Sequence, residues 1–251
     1  MRSFVAPLSV AVLAYLGLCA AMFVLQRSMI YLPPPGAAGG PVTKLSTPTT
    51  ALWVSTRPHD GPKALIYFGG NAEDVSLNLQ SFAATFPDRA LYLHHYRGYG
   101  GSPGRPSEAA LHEDALALFD LVQARHPDTA VMGRSLGAAV AVRLASRRPV
   151  SRLLLVTPFD SLVDLAARHY PIFPVRWLLR DRFESQPFAP AIQAPTLLVA
   201  AEHDEIVPRA STELLFSRFA SGVATLKVIP RARHNDLSDS PLYLEVLQSA
   251  L

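Results

Sequence analysis

The chain has 251 residues, 49% of them hydrophobic and 17% charged, with 22 Pro and 14 Gly, a composition that folds around a core and excludes a disordered or collagen-like chain. Its net charge of +3 comes from 23 Lys and Arg dispersed without a run of five, which argues against nucleic acid as a partner. Cys19 is the single cysteine, so an intramolecular disulfide and a cysteine-based zinc site are both excluded.

The first predicted element is apolar. Between Arg2 and Arg27 no charge interrupts residues 3–26, and as a helix rising ~1.5 Å per residue they extend roughly 36 Å, enough to cross ~30 Å of hydrocarbon with some tilt. We read 3–26 as an N-terminal transmembrane anchor. A cleaved signal peptide is the rival, since Cys19-Ala20-Ala21 offers small residues, but Met22-Phe23-Val24-Leu25 carries the apolar run past that point. A lipoprotein signal fits less well, with Leu18 before Cys19. Arg2 and the α-amino group flank one end, Arg27 and Lys44 the other, so the positive-inside count does not choose a face.

Residues 27–50, rich in Pro, Gly and Thr, read as a linker entering an edge hairpin, and 51–251 as the folded domain. There, short apolar runs alternate with stretches of helical period: a strand at 64–68, helix 74–86, strand 90–94, helix 108–125, strand 130–132, helix 136–147 and strand 152–156. After a cap-like segment at 157–195 come strand 196–200, helix 212–219, strand 224–229 and helix 241–251. Continuously apolar strands separated by helices predict an α/β fold with a mostly parallel central sheet covered on both faces. Binding sites of such sheets lie beyond the carboxyl ends of the strands.

At one such end stands Gly133-Arg134-Ser135-Leu136-Gly137, the nucleophile-elbow pattern between strand and helix. A glycine-flanked turn whose serine merely caps the helix is the plain alternative. A serine hydroxyl needs a base to take its proton and a carboxylate to orient that base. Asp204 falls just past strand 196–200 and His234 just past strand 224–229, giving the chain order Ser, Asp, His. Asp160 is a rival acid by position, or a helix cap. Glu205 and Asp236 read as solvated loop carboxylates, and His203 as a loop residue. His94 and His95 close a strand as structural histidines, while His59, His112, His126 and His169 read as surface residues. For the oxyanion of acyl transfer, the Leu136 N–H at a helix start is one expected donor. The loop Gly69-Gly70-Asn71-Ala72 supplies another, unless it is an ordinary Gly-Gly turn.

These residues resemble the α/β-hydrolase superfamily, more narrowly its small membrane-anchored serine hydrolases, the group that includes protein depalmitoylases. The resemblance runs through Gln26-Arg27-Ser28-Met29-Ile30-Tyr31-Leu32-Pro33, Tyr67-Phe68-Gly69-Gly70-Asn71-Ala72-Glu73, Tyr96-Arg97-Gly98-Tyr99-Gly100-Gly101-Ser102, the elbow, and the segments carrying Asp204 and His234. It implies Ser135 as nucleophile, Asp204 as acid, His234 as base, Gly70 and Asn71 as oxyanion loop, and a bacterial inner membrane as location. Members often have His where Gly69 stands and Gly where Arg233 stands. The loop 96–102 is equally explained as glycine turn chemistry with Arg97 paired to a nearby carboxylate.

Phe159, Tyr170, Pro171, Phe173, Pro174 and Trp177 of segment 157–195 suit either an apolar pocket for an acyl chain or ordinary core. The expected function is a serine hydrolase of carboxylic esters or thioesters, with no metal or organic cofactor. Its partners would be the membrane and a small-molecule or lipid ester or thioester, acylated proteins among them. A serine peptidase on the same fold and a non-catalytic membrane scaffold are the alternatives.

Overall fold

The computed structural model describes residues 2–47 and 50–251, with side chains from Pro7 onward; Arg2 and the other first anchor side chains, and Pro48-Thr49 of the linker, lie outside the described residues. Helix α1 (Arg2–Ile30) leads into β1 (Thr43–Ser46), β2 (Ala51–Arg57) and β3 (Lys63–Phe68), then α2 (Leu79–Thr85), β4 (Ala90–His95) and α3 (Glu108–Gln123). There follow β5 (Asp128–Arg134), α4 (Leu136–Ala145), β6 (Leu153–Val156), α5 (Leu162–His169), α6 (Val175–Leu178), β7 (Thr196–Ala201), α7 (Arg209–Phe216), β8 (Ala224–Ile229) and α8 (Pro241–Gln248).

The strands form one eight-stranded sheet in the order β1-β2-β4-β3-β5-β6-β7-β8. From β4 to β8 neighbours run parallel, while β1 and β2 add an antiparallel hairpin at one edge. Side chains alternate across a strand, so β3 sends Ile66 and Phe68 to one face and Leu65 and Tyr67 to the other. The first face packs against α3 and α4 through Leu111, Leu118, Phe119 and Val140. The second packs against α2 and α8 through Phe82, Tyr243 and Leu247. This is the doubly covered, mostly parallel sheet that the apolar runs predict. Among the parallel strands, the edge strand β8 alternates in burial, since one strand edge and part of its face meet water.

Several boundaries differ from the sequence reading for physical reasons. Helix α1 does not stop at Gln26. Arg27, read as its end, donates from Nε and Nη2 to Asp181 at 2.9 and 3.2 Å, and Tyr31 donates to the same carboxylate at 3.0 Å. With that charge neutralised by the domain rather than by water, the helix continues to Ile30 and Tyr31 enters the core, 3% exposed. The sheet likewise begins at Thr43, within the stretch read as linker, because β1 pairs with β2. The expected helix 74–86 opens as a 3-10 turn, Val75–Asn78, capped by Asp74. Ser161, not Asp160, caps α5 by accepting the Asp164 N–H at 3.3 Å. His126 is buried, its Nδ1 2.8 Å from Gly61 O and its Nε2 3.2 Å from the Tyr92 hydroxyl. His59 and His112 are half-buried, and of the four read as surface histidines only His169 is exposed.

His94 lies fully inside, edge-on to Phe68 and Tyr96, with Nδ1 lacking a partner among the described residues. Burial, aided by the charges of His95 and Arg97, pushes its imidazole down to about 3 from an ordinary 6.5. Above pH 6.5 neither the folded nor the unfolded chain holds this proton. Below it the unfolded chain takes up a proton that folded His94 refuses, so stability falls as pH drops from 6.5 towards 3. Thermal unfolding in detergent between pH 7 and 4.5 should show this fall, and His94→Asn should flatten it whatever its offset at pH 7.

Candidate active site

The three strand-end residues meet. Ser135 follows β5 with φ 50° and ψ −112°, outside the regions open to an ordinary L-residue. The turn holds because no side chain intrudes. A Cβ on Gly133 would collide with Gly137 O, and one on Gly137 with the carbonyls of Phe68 and Gly69. The first turn of α4 therefore sits directly on the end of β3, and the Ser135 hydroxyl stands clear at the rim of the sheet.

His234 Nε2 lies 3.1 Å from Ser135 Oγ, and its Nδ1 lies 2.8 and 3.0 Å from the Asp204 carboxylate. Asp204 is fixed in turn, since its Oδ1 accepts the N–H groups of Ile206 and Val207 at 2.9 and 2.7 Å. His234 and Asp204 side chains are 6% and 3% exposed, which shields the pair from competing water. The row can pass a proton from hydroxyl to imidazole while the carboxylate holds the ring. Asp160, the rival acid, sits elsewhere in a closed group, accepting from the Ser211 hydroxyl and from Gln186 at 2.7 Å.

Of the expected oxyanion donors, the structure separates Asn71 and Leu136 from Gly70. The Gly70 N–H is committed to Glu73 Oε2 at 2.6 Å, so it cannot also serve an oxyanion. The Asn71 and Leu136 N–H groups meet no protein acceptor among the described residues, and both residues line the cavity beside Ser135. The loop is rigid without a histidine at Gly69. Tyr96 donates to Gly69 O at 2.8 Å and Tyr99 to Asn71 Oδ1 at 3.0 Å. Burial raises Tyr96 well above its ordinary pKa and Tyr99 to about 12, so both remain protonated donors. Arg97 pairs with Asp114 through two bonds of 2.8 Å, which gives the loop 96–102 a structural task.

Two supports were not legible. Glu73 also accepts from Tyr67 and Asn78 at 2.7 Å and faces Arg134 at 3.4 Å, while Arg134 Nη2 donates to His234 O at 2.9 Å. The loop 69–72 is thus tied to the histidine backbone through one guanidinium. Burial opposes the Arg134 charge most strongly, and Glu73, Tyr67 and Tyr243 together outweigh it, raising its pKa. Glu205 and Asp236, read as solvated, accept the N–H groups of His234 at 3.4 Å and Arg233 at 2.5 Å. Arg233 is exposed and the left-handed residue is Arg231, φ 60°, so arginine in place of glycine leaves the path into His234 undistorted.

A cavity of about 270 Å³ opens beside Ser135. Phe159, Tyr170 and Phe173 line it, whereas Phe183 belongs to the core and Trp177 is 89% exposed. The cap segment therefore divides its aromatics between pocket, core and surface. Met22, Gln26, Met29 and Ile30 of α1 complete the wall.

Comparison with known proteins gives consistent findings. The family profile described as Serine aminopeptidase, S33 matches residues 175–241. An uncharacterized protein of Mycobacterium tuberculosis, Rv2307c, is 35% identical across 96% of this chain and 93% of its own length. The lysophosphatidylserine lipase ABHD12 of Xenopus tropicalis is 35% identical across 45% of this chain and 34% of its own. The alpha/beta hydrolase domain-containing protein aho-3 of Caenorhabditis elegans is 32% identical across 74% of this chain and 56% of its own.

Gly137→Ala should be among the most damaging single-methyl additions in the domain, because backbone on both sides prevents relief. Overpacking of this kind costs ~1–3 kcal/mol or more, and a lowered unfolding temperature with weakened reaction towards a fluorophosphonate would register it.

Proposed function

The chain belongs to the alpha/beta hydrolase superfamily and is a hydrolase of that fold, and on that premise we propose that it cleaves carboxylic esters of lipophilic acyl groups through an acyl-enzyme on Ser135. The observation that carries this reading is the unbroken hydrogen-bonded row from Ser135 through His234 to Asp204. Ser135 Oγ attacks the carbonyl as its proton passes to His234 Nε2. The tetrahedral oxyanion lies against the N–H groups of Leu136 and Asn71, where each donor contributes ~3–4 kcal/mol. The C–O bond breaks and the departing alcohol takes the proton. Water, deprotonated by the same imidazole, then attacks the acyl-enzyme, releasing the acid and restoring Ser135.

The apolar cavity and the name of the lysophosphatidylserine lipase relative favour lipid esters. Thioesters, those of acylated proteins included, share the acyl-enzyme and need no further residue. We also propose that α1 is an uncleaved single-pass anchor in a bacterial inner membrane. Helix α1 is long and apolar enough to cross a bilayer. Cleavage after Ala21 would remove Tyr15, which donates to Ile172 O and stacks on Phe173, and so strip the cap of that contact. A peptidase is the second reading, favoured by the description of the family profile.

Wild type should react covalently with a fluorophosphonate and Ser135→Ala should not; labelling of neither would leave a non-catalytic scaffold. His234→Ala should lower ester turnover by at least ~10²–10⁴-fold, and near-normal turnover would remove His234 from its role. Faster cleavage of a peptide amide than of its matched ester would favour the peptidase.

A further inference from the structure

Met22, Gln26, Met29 and Ile30 follow one another at i, i+4, i+7 and i+8, a single face of α1, and that face is turned towards Ser135 across the cavity. The only polar member is neutralised in place. Gln26 donates to Leu178 O at 3.1 Å and accepts from Arg180 N at 2.7 Å, so the wall presents hydrocarbon. Val24, on the opposite face of the helix, is 76% exposed.

The cap follows the helix upward. Tyr15 donates to Ile172 O at 2.7 Å and stacks on Phe173 at 6.1 Å, fifteen residues before Ile30. At ~1.5 Å per residue this places the loop between α5 and α6 roughly 22 Å along the span from the helix end. That loop exposes Ile172 at 70% and, close by, Trp177 at 89%, large apolar surface that water disfavours and a bilayer accepts. The cavity is therefore walled jointly by the anchor and by a cap segment level with its hydrocarbon-facing part. Phe173 and Met22 stand on its upper side and Ser135 and Asn71 at its base.

We propose that substrate enters sideways from the bilayer: the acyl chain of a single-chain lipid ester, already lying among lipid tails, slides between α1 and the cap along Met22, Met29 and Phe173 until its carbonyl reaches Ser135. The anchor helix is then part of the binding site rather than a tether. The occupant is a single chain because the cavity, at about 270 Å³, lies at the small end of ligand sites, which run ~300–1,000 Å³. This inference rests on the esterase reading above.

The test uses the full chain in phosphatidylcholine vesicles and a hexadecyl fluorophosphonate bearing a diazirine midway along its alkyl chain. Attachment at Ser135 followed by photolysis should crosslink peptides containing Met22–Ile30 or Tyr170–Phe173. Attachment with crosslinks confined to other segments would overturn sideways entry while leaving the esterase reading intact; no attachment at Ser135 would end the esterase reading itself. Independently, Met29→Trp, which fills the wall, should reduce hydrolysis of a long-chain monoacyl ester in vesicles by about tenfold or more relative to Val24→Trp on the opposite face. Equal turnover by the two variants would contradict the inference.

Discussion

The close seating of α4 on the end of β3 is the constraint from which the site follows. With no side chain at Gly133 or Gly137, the helix starts within contact of the Phe68 and Gly69 carbonyls. That contact forces Ser135 into its positive-φ conformation and brings the loop 69–72 alongside it. A helix displaced by even a methyl group would separate the hydroxyl from the Asn71 and Leu136 N–H groups together. The strain is sustained by packing on both faces of β5, where Val131 and Met132 are fully buried.

Around that contact the polar groups form a closed frame. Glu73 holds the loop 69–72, Arg134 joins Glu73 to the His234 backbone, and the Asp204 turn fixes the far side of the imidazole. Each member is partly or wholly buried and satisfied by another, which is the condition under which a polar network inside a protein stiffens rather than weakens it. Electrostatic stabilisation of a developing oxyanion needs such fixed dipoles.

Much of this was legible in the sequence because it is local. The elbow glycines, the buried runs of β3 to β7 and the residues just past β7 and β8 each announce themselves within about ten positions, and a parallel sheet brings its strand ends together. What was not legible is non-local. Nothing near Arg134 indicates that Glu73, sixty-one residues earlier, will accept its charge, and nothing near Gly70 shows that its N–H is already spent on that carboxylate. Arg27 resembled the end of a span because an arginine beside apolar residues ordinarily meets water, and its partner Asp181 lies 154 residues away. Asp160 looked like a cap or an acid until Ser211 and Gln186, brought in by folding, took its oxygens.

The pairing of Arg27 and Tyr31 with Asp181, together with the Gln26 and Tyr15 bonds, joins helix and domain at several heights instead of through a loose hinge. A body clamped in this way cannot pivot or reach across to a distant surface. With α1 set in a bilayer as proposed above, its mouth would meet only the leaflet beside its own helix, so its working radius would be set by two-dimensional diffusion of the whole molecule and its encounters counted per area of membrane, not per volume of solvent.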